Sequence, residues 1–280
     1  MTSAALIKEL RERTGVSMTK CKEALEECQG NIDEAISLLR KRGMASAVKK
    51  EGRATNEGTI VICESDRGVA LVEGNAETDF VVKNDRFQKL MSDVSRQVLA
   101  TDPQSLEELL AAPSLEDPEV TVDQYRAQLV QVIGENIQIR RFKLVKKEGK
   151  RSLGVYSHLD GKIVVVVILE GSDQEQAIAR DIAMHVAAAA PEYVSPDKVP
   201  QELIAHEREI ATAQVKDKPA YALEKILEGK LRAFYETHCL LCQKYIRDDS
   251  LTVEQLLEKR SKEIGQPLTV RCFLRWTLGS

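Results

Sequence analysis

Residues 73–86 read EGNAETDFVVKNDR and join a strand pattern to a helical pattern. The apolar run Val69–Val72 just before them is typical of a buried strand. Gly74 and Asn75 are residues that favour a turn, and we expect the strand to turn there. The passage from sheet to helix is therefore decided in this stretch.

Asp79 and Phe80 place a carboxylate beside an aromatic ring at this junction. A structural interpretation packs Phe80 and Val82 in the core and uses Asp79 to cap a helix that begins near Asn84 or Asp85. A functional interpretation presents the acid and the ring to a partner. The residues of the junction alone favour the structural interpretation.

A strand, turn, strand and helix surround this junction. Thr59–Cys63 and Val69–Val72 are predicted strands joined at Asp66–Gly68, and an apolar helical pattern runs from Phe87 to Val98. A second copy follows, with Gly154–His158, a turn at Asp160 and Gly161, the strand Ile163–Leu169 and a helix from Ser172. The second copy has no equivalent of Thr78–Val81, which favours a function for that quartet.

Three short helices are predicted before the first copy. Ser3, Ser17 and Asn31 are suitable N-caps, and Gly15, Gly30 and Gly43 are expected to end the three helices. So small a bundle leaves part of its apolar face exposed. It resembles a ubiquitin-associated-type module, which implies binding of partner helices.

The predicted fold is therefore α+β, with antiparallel sheets in two related subdomains. Two helical patterns around Lys218 and Pro219 predict an inserted antiparallel helical hairpin, or coiled coil. The expected parts are a ubiquitin-associated-like domain at 1–43, a basic linker at 44–56, a first core subdomain at 57–140, a second one at 141–196 and 237–280, and the hairpin at 197–236.

Composition restricts the function. Forty basic and 44 acidic residues give a formal charge of −4 over 280 residues, which argues against direct binding of nucleic acid. The longest apolar run, Ile163–Leu169, is far below the roughly 20 residues of a membrane span. Glu9 and Glu12 interrupt any leader pattern. We expect a cytoplasmic protein without a membrane partner.

No motif of an enzyme is complete. The chain has no GxxxxGK[ST] or GxSxG pattern, and His206–Ile210 fails HExxH at its last position. His238, Cys239 and Cys242 are close in sequence, but a structural zinc site usually takes a second pair of cysteines. We therefore expect no catalytic residue, no metal and no cofactor.

The quartet Thr78, Asp79, Phe80 and Val81 resembles the signature of the bacterial elongation factor Ts family. Three other blocks resemble the same family in the same order, and together the blocks span most of the chain. They are LIKELRERTGVSMTKCKEALEECQGNIDEAISLLRKRG at residues 6–43, IGENIQIRR at 133–141 and IAMHVAAAAPEY at 182–193. Members of the family are nucleotide-exchange factors for the GTPase elongation factor Tu.

The resemblance implies which residues contact the GTPase. Phe80 would enter between helices of the GTPase, and Asp79 would disturb the groups around its magnesium ion. The turn Thr14–Met18 would receive a side chain in a pocket formed by Leu10, Met18 and Lys22. Apart from the resemblance, Ile133, Gly134 and His158 are secondary candidates for contacts, and Gly134 is either a helix cap, which we favour, or a point where another part of the backbone approaches closely.

Two further expectations come from the resemblance. The helical hairpin would contact the GTPase and, in some members, a second copy of the factor, so self-association is possible. Longer members continue with an additional helix, whereas this chain stops at Ser280, and we expect one contact fewer and a lower affinity.

Three alternatives stay open. The chain could be a passive protein that binds helices through its first module, a thiol enzyme that uses Cys239 and Cys242, or an RNA-binding translation factor. The charge balance and the lack of aromatic residues among basic ones disfavour the last.

Overall fold

The computed structural model describes residues 3–213 and 220–280. These residues form an α+β fold with antiparallel sheets. Contacts divide the chain into two units, Met1–Lys146 with Gly279 and Lys147–Leu278 with Ser280. Each unit has its own apolar core.

Three helices open the first unit: α1 (Ala4–Thr14), α2 (Met18–Glu27) and α3 (Ile32–Lys50). The Ser3 hydroxyl accepts a hydrogen bond from the Leu6 amide, and the Asn31 side-chain oxygen Oδ1 accepts from the amides of Asp33 and Glu34. These caps satisfy amides that a helix leaves without partners at its start. The helices enclose a small core of their own, formed by Leu10, Val16, Cys21, Ala24, Leu25, Ala35 and Leu39.

The rest of the first unit is a three-stranded antiparallel sheet covered by helices. Its elements are β1 (Glu57–Ser65), β2 (Gly68–Ala76), α4 (Asp79–Val82), α5 (Asp85–Thr101), α6 (Leu106–Ala111), α7 (Val122–Ile133) and β3 (Ile137–Lys146). The strand order is β1-β2-β3. The amphipathic helix α5 packs Phe87, Leu90, Met91 and Val94 against the sheet. All nine residues of the central strand β2 are buried.

The expected turn at Gly74 and Asn75 is wrong, because both residues lie inside β2. Gly74 is needed there for close packing: a Cβ atom on it would lie 2.2 Å from the Met91 sulfur. A β-bulge between Glu73 and Gly74 shifts the register with β3. Glycine at this position therefore permits α5 to approach the sheet, and the strand does not turn.

The expected end of the third helix at Gly43 is also wrong. α3 continues through Gly43 to Lys50, so the first seven residues of the expected linker, 44–50, are helical. A Cβ atom at Gly43 would lie 3.0 Å from Oε1 of Gln131 in α7. The glycine thus serves a close contact between two helices.

The second unit repeats the antiparallel arrangement. Its elements are β4 (Arg151–His158), β5 (Ile163–Glu170), α8 (Gln176–Ala189), α9 (Gln201–Ala213), α10 (Ala220–His238), β6 (Lys244–Tyr245), β7 (Asp248–Thr252), α11 (Val253–Ile264) and β8 (Thr269–Thr277). The order β4-β5-β8 matches that of the first sheet, with a helix after the first two strands in both units.

The second unit departs from the sequence-based prediction at the start of α8. The helix predicted from Ser172 begins only at Gln176, because the Ser152 hydroxyl donates to the Ser172 carbonyl and accepts from the Glu175 amide, both at 2.8 Å. These bonds hold the intervening residues beside β4. α9 and α10 contact each other, but the predicted turn at Lys218 and Pro219 lies outside the described residues.

Candidate functional site

The turn that carries the quartet is built from two consecutive helix caps. The Thr78 hydroxyl accepts from the Val81 amide at 3.4 Å and starts α4, and the Asn84 side chain accepts from the Arg86 amide at 3.0 Å and starts α5. Asp79, expected as a cap for the second helix, is instead the first residue of α4. A four-residue helix between two caps leaves the chain little freedom at this point.

This short helix turns one apolar side chain inward and the next one outward. Val81 is 7% exposed and packs in the core of the first unit, whereas Phe80 is 81% exposed. The structural interpretation of Phe80 as a core residue is therefore wrong. An exposed aromatic ring on a rigid turn is a suitable contact for a protein partner.

Asp79 lies beside the ring with its carboxylate half exposed. Lys83, one helical turn later, donates from Nζ to Asp79 Oδ2 at 3.0 Å. This hydrogen bond, more than any other contact, lowers the pKa of the Asp79 carboxyl group. The site therefore offers a permanent negative charge at neutral pH, and a partner must compete with one exposed lysine for it.

Thr78 also joins the turn to the end of α7. Its amide and hydroxyl both donate to the Glu135 carboxylate, at distances of 3.0–3.1 Å. Sequence reasoning did not identify Glu135, although the residue lies inside the block at 133–141. The structure thus places the candidates Ile133 and Gly134 close to the quartet.

Gly134 ends α7 with φ of 95°, a conformation that glycine adopts most easily. Its amide donates to the Val130 carbonyl at 2.9 Å, and a Cβ atom would meet nothing within 4 Å. The residue is therefore a helix cap and not a point where another part of the chain approaches closely. Ile133 is half-buried and packs against the core of the first unit.

The candidates in the first three helices differ in accessibility. Leu10 is fully buried and does not reach the surface, whereas Met18 is 44% exposed. Lys22 is exposed and pairs with Glu26 at 3.7 Å. A Cβ atom at Gly15 would lie 2.8 Å from Nη1 of Arg86, so the turn Thr14–Met18 lies near the start of α5.

His158 is an exposed residue of the second unit, at the end of β4. Its Nδ1 atom lies 3.2 Å from the Tyr156 hydroxyl, and the two rings stack. Leu159 beside it is also exposed, at the tip of the β4–β5 hairpin. This surface belongs to a different unit from the quartet.

Cys239 and Cys242 do not have the lowered pKa that is typical of catalytic thiols. Burial raises the pKa of Cys239 to about 11 and also raises the pKa of Cys242. The Nδ1 atom of the adjacent His238 lies 3.0 Å from Oε1 of Glu192. Thiols with raised pKa values carry little thiolate at neutral pH, which disfavours the thiol enzyme.

The described part of the chain contains neither a candidate metal site nor a candidate membrane-spanning helix. Within residues 3–213 and 220–280, no group of three or more His, Cys, Asp or Glu side chains could hold a metal ion. In the same part of the chain, no helix is both long and apolar enough to cross a membrane.

Comparisons with known proteins agree with the four sequence blocks. A family model described as Elongation factor TS matches residues 77–280. An Elongation factor Ts of Protochlamydia amoebophila is 56% identical over 275 residues, covering 98% of each chain. Proteins of the same name from Chlamydia felis and Chlamydia muridarum are 43% and 41% identical and cover 99% of each chain.

Proposed function

Because this chain belongs to the elongation factor Ts family of translation elongation factors, we propose that it is a guanine-nucleotide exchange factor. It binds elongation factor Tu in the GDP state, promotes release of magnesium and GDP, and so permits reloading with GTP. The observation that carries the proposal is the 81% exposure of Phe80 on a turn whose next residue is buried.

Exchange requires differential binding and no covalent chemistry. A GTPase holds its nucleotide through backbone amides of the phosphate loop and through a magnesium ion on the phosphates. A protein that binds better when these elements are displaced lowers the affinity of the GTPase for its nucleotide. By reciprocity, the nucleotide lowers the affinity of the GTPase for that protein by the same factor. The factor therefore needs no cofactor. We also propose that it acts in the cytoplasm.

Phe80 and Asp79 have separate roles in this proposal. Phe80 enters between helices of the GTPase, where removing an aromatic side chain from water contributes about 1.5–3 kcal/mol. The ionised Asp79 carboxylate disturbs the water and side-chain network around the magnesium ion. The ring supplies affinity for the displaced state, and the charge assists release of the metal.

The other candidates extend the contact. The three helices act as a ubiquitin-associated-like module that receives a side chain of the GTPase beside Met18 and Lys22, with Leu10 supporting from within. Ile133, Gly134 and His158 make secondary contacts. The pair α9 and α10 forms the helical hairpin, which contacts the GTPase or a second copy of this chain.

The test is release of a fluorescent GDP from elongation factor Tu, followed by stopped flow with catalytic amounts of this protein. We expect wild type to accelerate release and Phe80→Ala to be about tenfold to a hundredfold slower, because the contribution of the ring is lost. Leu115→Ala is the matched control, since Leu115 is an exposed apolar residue of the same unit. It should act like wild type.

Two results would contradict the proposal. Full activity of Phe80→Ala would remove the quartet from the contact. Binding of the two proteins without accelerated release would favour the passive, helix-binding alternative.

A further inference from the structure

The strands β2 and β3 separate just before the quartet, and side chains continue their pairing. The last paired residues are Ala76 and Ile137. In the same register the next two pairs are Glu77 with Asn136 and Thr78 with Glu135. The Asn136 amide donates to Glu77 Oε1 at 2.6 Å, and the Thr78 amide donates to Glu135 Oε2 at 3.1 Å. Each of these two amides thus donates to the side-chain carboxylate of the residue that would lie opposite it.

This crossed pair of carboxylates is tied to its surroundings on both sides. The Arg53 guanidinium donates to Glu77 Oε1 at 3.3 Å, and the Asn136 side chain donates to the Arg53 carbonyl at 3.0 Å. Glu135 directly follows the cap residue Gly134, whose left-handed conformation sets the direction in which the chain leaves α7. The Glu135 carboxylate is therefore held by the end of a long helix.

The Thr78 hydroxyl transmits this position to α4. It donates to both Glu135 oxygens, at 3.0 and 3.1 Å, so its proton is directed away from the helix. Its lone pair then faces the Val81 amide, 3.4 Å away. A hydroxyl group that donates to a carboxylate is a better acceptor, because hydrogen bonds in a chain polarise one another.

We infer that Glu135 is a positioning residue for nucleotide exchange, which fixes the turn of Phe80 through Thr78. The inference rests on the proposed function. The exposed ring has no packing of its own to hold it, so its direction depends on the orientation of α4. Displacement of a contacting group by about 1 Å can cost up to a hundredfold in rate.

The first measurement uses the protein without its partner. Amide hydrogen exchange, followed by NMR, compares wild type with Glu135→Ala, Glu135→Gln and the control Glu64→Ala, an exposed glutamate of β1. We expect Glu135→Ala to raise the exchange rate of the Thr78 amide about tenfold or more, because the amide loses its acceptor. Glu135→Gln keeps one acceptor oxygen and should be intermediate, and Met91 in α5 should exchange as in wild type.

The second measurement is stopped-flow GDP release with Glu135→Ala in two backgrounds. We expect about tenfold slower release in the wild-type background. In the Phe80→Ala background the further loss should be less than about twofold, because the side chain that Glu135 positions is already gone. A variant that only destabilises the protein would slow both backgrounds equally.

Several outcomes overturn the inference: wild-type protection of Thr78 in Glu135→Ala, wild-type release by Glu135→Ala while Phe80→Ala is defective, or equal losses in both backgrounds. If wild type itself did not accelerate release, the proposed function would fall, and amide exchange alone would decide whether Glu135 holds the turn. If Glu135→Ala does not fold, Glu135→Gln is measured in its place; a smaller rise in Thr78 exchange is then expected, and wild-type protection again overturns the inference.

Discussion

Phe80 and Val81 are neighbours of similar hydrophobic character, yet their surroundings are opposite. Each residue of a helix is rotated by about 100° from the previous one, so the four residues of α4 point in different directions. Val81 points into the core at 7% exposure and Phe80 points outward at 81%. The outward direction of Phe80 therefore depends on the orientation of α4, which the cap residue Thr78 sets.

Asp79 permits a prediction about magnesium. Asp79→Asn should slow GDP release about tenfold at millimolar magnesium, because the charge that we propose disturbs the metal site is lost. In excess EDTA the variant should approach wild type, since release then no longer depends on removing the metal. Stopped-flow release over a range of magnesium concentrations measures both limits.

The control for this prediction is Asp249→Asn, which removes an exposed carboxylate from the second unit. It should match wild type at every magnesium concentration. A loss in Asp79→Asn that persisted unchanged in EDTA would show that the carboxylate acts through protein contacts and not through the metal.

At the scale of elements, caps and close contacts decide the arrangement. α7 begins at a capping box of Thr121 and Gln124 and ends at Gly134, and the same helix supports both α3 and the Glu135 carboxylate. In the second unit, α8 is tied to the segment before β7 by one buried side chain. His185 bonds through Nε2 to Gln243 at 2.9 Å and accepts through Nδ1 from the Ile246 amide at 3.2 Å.

This histidine predicts a pH dependence of stability. Burial lowers the pKa of His185, because desolvation disfavours the charged ring, and a protonated Nδ1 could no longer accept from the Ile246 amide. The unfolded chain therefore binds a proton more readily, and the free energy of unfolding falls as the pH drops below about 6.5. The contribution is up to about 1.4 kcal/mol per pH unit.

Urea unfolding at pH 7.5 and 5.5 measures this effect. His185→Gln should lose less stability than wild type between the two values, whatever its stability at pH 7.5. His206→Gln removes an exposed histidine from α9 and should keep the wild-type difference. If His185→Gln lost as much stability between the two pH values as wild type, the titration of another group would cause the loss.

At the scale of the whole molecule, the candidate contacts occupy both units. Met18, the quartet and Gly134 belong to the first unit, and His158 belongs to the second. Each unit has an independent core, which can hold its own contact surface rigid. In the proposed mechanism, several rigid contacts would permit differential binding, because each can favour the displaced form of the GTPase.

Reciprocity gives the prediction at this scale. Calorimetry should show tighter binding of this protein to nucleotide-free elongation factor Tu than to the GDP form, by about 5- to 150-fold. GDP should bind the free GTPase more tightly than the complex by the same factor. The ratio of the affinities for the nucleotide-free and GDP forms should be smaller for Phe80→Ala and unchanged for Leu115→Ala. Equal affinities for the two forms would be incompatible with exchange.

Much of the fold follows from chemistry within a few residues. The caps at Ser3 and Asn31 and the hairpins at Asp66–Gly68 and Asp160–Gly161 are predicted by local patterns, because capping and turn formation join residues two to four positions apart. The family blocks, including Thr78–Val81, are also contained in the order of residues alone.

Contacts between distant residues decided the rest. Gly43 and Gly74 were expected to end elements, but each allows another helix to approach closely. The exposure of Phe80 and the bond from Thr78 to Glu135, 57 residues away, have no local signal. Burial and long-range hydrogen bonds depend on which remote groups the fold brings together. Local patterns and the order of residues thus establish most helices and strands and the family. Packing between distant residues selects which side chains are available to a partner and holds them in place, because burial depends on the whole fold.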